Sequence, residues 1–144
     1  MDETLDRIRS VRDPRFHYLR NFHPELPYAQ RIDYMEIGKT MQAWRRWHAE
    51  GKLNPAQSLF FAPGKPKEEL YDTSSDPFEV RNLAADPQHA AKLAELRAAC
   101  DEWLVKTSDM GAVPVEELIA RGVITERDPK YNERRKRANA AETN

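Results

Sequence analysis

Apolar and polar side chains alternate on both sides of Asp13-Pro14-Arg15 in the stretch RIRSVRDPRFHYLRNF, residues 7–22. Ile8 and Val11 lie in the first run. In the second, Phe16, Tyr18 and Phe22 alternate with His17, Leu19 and Asn21. A two-residue period on either side of a proline turn predicts a β-hairpin over about 7–22, and apolar residues on both faces of the second run predict a strand covered on both sides. The next segment, HPELPYAQ, holds two prolines, each of which disfavours helix at the residue before it, so an ordered loop or extended segment is expected. From Tyr28 to Glu50 the period lengthens. Tyr34, Ile37, Met41, Trp44 and His48 recur at steps of three and four, predicting a helix over about 28–50 with these residues on one face and Gly51 as its stop.

Asn54-Pro55 has the chemistry to cap and open a further short helix. FFAPGKPKE is a connector leading to a strand over about 68–72, centred on Leu70-Tyr71. A polar turn through Thr73-Ser74-Ser75 and Pro77 follows, and Asp86-Pro87 repeats the helix-start signal. The helix expected over about 87–107 carries Leu93, Leu96, Cys100, Trp103 and Leu104 as one stripe, with Gly111 marking the end and VPVEELIARG adding a short helix. These elements make an α+β fold: a short antiparallel sheet, the hairpin plus one or two more strands, packed against a long C-terminal helix and a Trp-bearing middle helix. Residues 1–125 are expected to form one subdomain, and the polar, basic stretch 126–144 a partly disordered tail.

Composition narrows the partners. The formal charge of −1 steers the chain toward neither nucleic acid nor membrane. No run approaches the roughly 18 apolar residues of a membrane helix, and the acidic start, MDETLDRIRSVRD, is unlike a signal peptide. A soluble protein is expected, with its compartment unspecified. The single cysteine, Cys100, excludes an internal disulfide framework and a Cys-rich zinc site.

Chemistry is harder to find. His17, His23, His48 and His89 form no metal-ligand pair, and no phosphate loop or Ser-centred nucleophile elbow is present. No catalytic residue and no metal site is assigned. His48 reads as a core-edge residue, His89 as a solvated one in a first helical turn, and Cys100 as a small buried hydrophobe. His23 stands out, between Asn21 and Pro24 at the mouth of a proline-pinned loop, a usual setting for binding residues.

The order of these pieces resembles the late part of type I sulfatases, the formylglycine-dependent branch of the alkaline phosphatase superfamily. There, a hairpin of the form R-x-V-R-x-x-R/K-Y-K-Y-I-x-N is followed by E-L-Y-D-L-x-x-D-P-x-E-x-x-N-L-A. Here the second element stands as Glu69-Leu70-Tyr71-Asp72, Asp76-Pro77, Glu79 and Asn82-Leu83-Ala84. The segment between them is similar to the heparan N-sulfatase branch, and the likeness runs over about residues 4–115.

The resemblance implies the smaller C-terminal subdomain of such an enzyme, lining the substrate cleft beside a catalytic domain that hydrolyses sulfuric esters or sulfamates. A full-length relative is expected to carry calcium and a formylglycine made from the Cys or Ser of C/S-x-P-x-R, and to be periplasmic, secreted or lysosomal. In this chain Cys100 is followed by Asp-Glu-Trp-Leu, so neither the proline nor the arginine of that motif is in place. No cofactor is assigned to it, and the expectation is a truncated gene, a separately encoded piece or a cut fragment, inactive alone. Its expected partners are the missing catalytic domain and sulfated carbohydrate, without nucleic acid or membrane. By the same resemblance the loop after the hairpin faces the cleft, making Arg20, Asn21, His23 and Tyr28 the substrate-facing candidates. The alternative is a stand-alone interaction module that uses the Trp-bearing helix and basic tail to hold a protein partner or sulfated glycan.

Overall fold

The computed structural model describes residues 6–125, which fall into two compact units, one ending at Gly111 and the other starting at Ala112. The first is built on a three-stranded antiparallel sheet in the order β1 (Ile8–Arg12), β2 (Phe16–Asn21), β3 (Glu68–Asp72). The hairpin turn is fixed by Asp13, whose Oδ1 accepts from the backbone N–H of Arg15 at 2.7 Å and of Phe16 at 2.5 Å. In register, Tyr18 faces Val11 on one side and Leu70 on the other. Phe16, Tyr18 and Leu70 therefore share one face, with His17, Leu19, Asn21, Glu69 and Tyr71 on the other.

Helix α4 (Ala90–Lys106) covers the first face. Its Leu93, Leu96 and Cys100 are buried against Phe16, Tyr18, Leu70 and Leu83, with Leu104 packed alongside. Trp103, assigned to the same stripe by spacing, is 45% exposed. The Asp86-Pro87 start is present as a short 3-10 turn, Pro87–His89, whose Gln88 N–H is capped by Asp86 Oδ1 at 2.9 Å. The end comes earlier than Gly111. Ser108 takes the left-handed conformation (φ 49°), and the N–H groups of Ser108 and Asp109 close back on the carbonyls of Val105 and Leu104 at 3.1 and 2.9 Å. A serine thus occupies the post that glycine usually takes.

The helix expected over 28–50 is broken. Residues 28–32 are not helical, and α1 (Asp33–Glu36) is separated from α2 (Lys39–Ala49) around an extended Gly38. Losing continuity scatters the predicted face. Met41 is buried, but Tyr34 and Ile37 are 81% and 70% exposed. Trp44 instead stacks on Phe60 at 4.6 Å and meets Phe61 edge-on, while His48 stacks on Phe61 at 4.3 Å. Phe60 and Phe61 come from a 3-10 turn, Leu59–Phe61, that follows α3 (Pro55–Ser58). Asn54 caps α3 through a reciprocal pair with Gln57. Gly51 closes α2 with φ 64°, as expected of a left-handed stop.

The stretch after β3 works as a clasp. Strand β3 is an edge, so its outward backbone groups need partners. Asn82 supplies them: Oδ1 accepts from Leu70 N–H at 3.0 Å, and Nδ2 donates to Glu68 C=O at 3.2 Å. Leu83 N–H then donates to Leu70 C=O at 2.8 Å, and its side chain enters the core. Asn82 Oδ1 also accepts from Ala84 N–H at 2.9 Å, turning the chain toward the helix. At the far end of β3, Arg15 forks onto Asp72 at 3.0 and 2.6 Å, and the Asp72 carboxyl is held down at about 2 by that guanidinium.

In the second unit, Val115–Ala120 forms α5 with an Arg121–Glu117 ion pair. The predicted tail, 126–144, lies outside the described residues.

Candidate functional site

The four residues singled out by the loop's resemblance do not converge on one point, because strand parity sends neighbours to opposite faces. Arg20 lies on the α4 face. Its Nε donates to the Tyr18 hydroxyl at 3.1 Å and its Nη1 to Asp101 Oδ1 at 2.5 Å. Tyr18 in turn donates to Glu68 Oε1 at 2.6 Å, and Arg97 forks onto the same carboxylate with Nε and Nη2, both at 2.7 Å. Burial, then the bond to Glu68, pushes the Tyr18 phenol up to about 12. Arg97, followed by the Tyr18 hydroxyl, holds the Glu68 carboxyl below its ordinary range against the opposing effect of burial. Beside this network opens a cleft of about 680 Å³, lined by Arg20, Phe22, Pro24, Lys67, Glu68 and Arg97 and bordered also by Asn21, whose side-chain amide is nonetheless committed to the other face.

Asn21 and Tyr28 meet on the opposite face, at Glu69. This carboxylate is 4% exposed. It accepts from Asn21 Nδ2 at 2.6 Å and from the hydroxyls of Tyr28 and Tyr71. Burial raises both phenols, helped by the bond to Glu69. Asn21 Nδ2 also donates to Pro66 C=O at 2.6 Å, while its Oδ1 is enclosed without a partner among the described residues. A side chain 2% exposed and committed to a buried carboxylate is an anchor. Asn21 and Tyr28 tie the two ends of the 21–28 loop to β3.

His23 sits within that loop. Its Nδ1 lies 3.1 Å from Glu25 Oε1, and Nε2 is enclosed without a partner among the described residues. The loop is strapped down from the connector by Lys65, whose N–H donates to Pro24 C=O at 2.7 Å and whose buried ammonium pairs with Asp6 at 2.5 Å. Gly64 allows this approach, since a Cβ there would stand 2.7 Å from the Pro24 oxygen.

Arg97, Glu68 and Lys67 were missed by sequence reasoning. Arg97 falls between Leu96 and Cys100 at the margin of the apolar stripe, and Glu68 shares strand parity with Leu70. Two opposite charges at the border of two core faces were the available signal.

Among the described residues, no cluster of three or more His, Cys, Asp or Glu is arranged to hold a metal ion. Cys100 is buried, burial raises its thiol pKa, and it lacks the proline and arginine of the formylglycine motif. Among the described residues, then, none is arranged for calcium, and Cys100 does not fit a formylglycine nucleophile. No helix among them is long and apolar enough to cross a membrane.

A two-faced sheet with polar anchors on either side frames the described residues, and comparison with known proteins identifies relatives. No family model matches the chain. It is 50% identical over 118 residues to an ulvan-active sulfatase of Formosa agariphila, covering 82% of this chain and 20% of that protein. It is 26% identical over 126 residues to the human N-sulphoglucosamine sulphohydrolase, covering 88% of this chain and 25% of the relative. A 42-residue segment is 48% identical to a Δ4,5-hexuronate-2-O-sulfatase of Bacteroides thetaiotaomicron, spanning 29% of this chain and 9% of that one. The chain belongs to the sulfatase family, and it spans a fifth to a quarter of the length of the relatives matched over most of it. That share is consistent with the C-terminal subdomain named from the hairpin and clasp.

Proposed function

We propose that this chain is the C-terminal part of a sulfatase, a sulfuric-ester or sulfamate hydrolase, in which it supports the catalytic domain and lines the substrate cleft while catalysing nothing alone. The observation that carries this is 50% identity over 118 residues with a sulfatase, in a chain lacking the C/S-x-P-x-R nucleophile motif. Exposed apolar side chains support a docking role: Tyr34, Ile37 and Trp47 stand out from α1, α2 and their junction. Arg20 and His23 remain the candidates for substrate contact. Asn21 and Tyr28 act through the loop they anchor.

In the alternative, a stand-alone interaction module holding a protein partner or sulfated glycan, the Trp-bearing helix would use the exposed Trp47, since Trp44 is stacked on Phe60. The test has two arms. The purified chain with an aryl sulfate and calcium gives no turnover, and turnover above the blank overturns its inactivity. Co-expressed with the remainder of the Formosa relative, it co-purifies as a complex. Failure of the two to associate, with both folded, overturns the supporting role.

A further inference from the structure

The two edges of the sheet are finished differently. On β3, the outward groups of Glu68 and Leu70 are taken by Asn82 and Leu83. On β1, Asp13 N–H donates to Phe16 C=O and Phe22 N–H to Arg7 C=O, so the odd-numbered residues of this register bond inward to β2. Ile8, Ser10 and Arg12 therefore turn their N–H and C=O groups away from the sheet. Ile8 C=O takes Arg9 Nη1 at 2.9 Å, and the backbone groups of Ser10 and Arg12 have no partner among the described residues. The ladder runs without a bulge, β1 holds no proline, and Ser10 and Arg12 are exposed. An edge in this state is a template for another strand.

The side chains say which strand fits. A second β1 laid antiparallel about a two-fold axis at Ser10 pairs Ser10 with Ser10 and Ile8 with Arg12 through their outward groups. The same register sets Arg7 opposite Asp13 and Arg9 opposite Val11, with no like charges facing. An axis at Arg9 sets that arginine against itself, and an axis at Val11 puts Ile8 opposite Pro14, which has no N–H. The basic stretch 126–144 would bring like charge to Arg9 and Arg12. Helix α4 adds a flank to the edge. Lys92 reaches Asp13 at 3.2 Å past one end of β1, and Asp109 takes Arg9 at 2.9 Å near the other, so α4 runs along this strand. Arg97 and Asp101 bond across to Glu68 and Arg20. Ala99 and Trp103, on the opposite side of the helix by spacing, are exposed beside the open edge. The axis at Ser10 lays this flank of one α4 beside the same flank of the other. We propose that β1 and the Ala99–Trp103 flank of α4 form a two-fold interface between two copies of this chain, joining their three-stranded sheets into one.

Sedimentation of the 144-residue chain across a dilution series gives a dimer that dissociates as concentration falls. Ser10→Pro deletes two hydrogen bonds across the axis and none within the sheet, and weakens association about tenfold. Ser10→Lys and Ser10→Glu each set like charges opposite one another and are monomeric, and their equimolar mixture restores the dimer. Circular dichroism confirms that the variants fold. Hydrogen exchange reads the unmodified chain: the amides of Ile8, Ser10 and Arg12 exchange slowly when concentrated and fast on dilution. A chain that stays monomeric, a dimer indifferent to Ser10→Pro, or a Lys–Glu mixture that associates no better than either variant alone overturns the proposal. So does protection of these amides at every dilution, which assigns the edge to another segment of this chain. Protection that appears only with the co-expressed remainder of the Formosa relative assigns it to that part and overturns the proposal equally. The interface rests on the backbone of β1 rather than on the sulfatase reading, whose turnover and co-purification arms its failure leaves untouched.

Discussion

Removing the Asn82 side chain amide tests the clasp most directly. Asn82 is exposed, and an exposed substitution ordinarily changes stability by no more than about 0.5 kcal/mol. This one removes three hydrogen bonds at once: those from Leu70 N–H, from Ala84 N–H and to Glu68 C=O. The two on the exposed side are replaced by water, and each contributes about 0.5 kcal/mol. Leu70 is 0% exposed, so its N–H at the strand edge is poorly rehydrated, and leaving it unpaired costs about 1–2 kcal/mol. Asn82→Ala therefore costs about 2–3 kcal/mol on this accounting. Asn82→Asp keeps both acceptor bonds but turns an oxygen toward Glu68 C=O in place of the Nδ2 donor, for a smaller cost of about 1 kcal/mol. Urea unfolding followed by tryptophan fluorescence reads both variants. A loss under about 0.5 kcal/mol for Asn82→Ala, or a larger loss for Asp than for Ala, refutes the claim that the amide completes the edge of β3.

Two further outcomes concern pH. The Asp72 carboxyl titrates at about 2 in the folded protein against an ordinary 3.8, so the Arg15 fork contributes stability that is present above about pH 4 and lost as pH falls toward 2. Acid unfolding midpoints should show that window shrink in Arg15→Gln, and an unchanged acid profile contradicts the assignment. At the alkaline end, the Tyr18 phenol titrates at about 12 against an ordinary 10.0. The unfolded chain releases this proton first, so the associated stability is intact below about pH 10 and declines toward pH 12. Absorbance at the phenolate band should rise together with unfolding, and phenolate formation by Tyr18 at its ordinary pKa in folded protein refutes the buried network.

Much of the fold was legible because local rules coincide with tertiary ones. The alternation around Asp13-Pro14 gave the hairpin, and Leu93, Leu96 and Cys100 gave the buried face of α4. Legibility failed where packing overrode period. Tyr34 and Ile37 fit a helical face by spacing, yet the chain breaks around Gly38 and Trp44 finds its partners in Phe60 and Phe61, sixteen and more residues away. No short window of sequence contains that choice. The candidate site failed for a different reason. Arg20 and Asn21 are neighbours in sequence, but β parity points one at Asp101 on α4 and the other at Glu69 on the opposite face.

Local structural demands explain why one part of this chain is so recognisable. Asn82-Leu83-Ala84 must at once finish an open strand edge, fill the core and turn toward α4, and each task fixes a residue type. The edge needs a donor and an acceptor on one short side chain, which an amide provides and a carboxylate or hydroxyl does not. The core needs an apolar group the size of Leu83, which is 7% exposed. The turn needs the same Oδ1 to reach Ala84 N–H two residues on. Three geometric demands met within three residues leave little freedom in sequence, whereas the cleft lined by Lys67, Arg97 and Arg20 draws one residue from each of three distant segments. A motif of this kind is legible because its constraints are local.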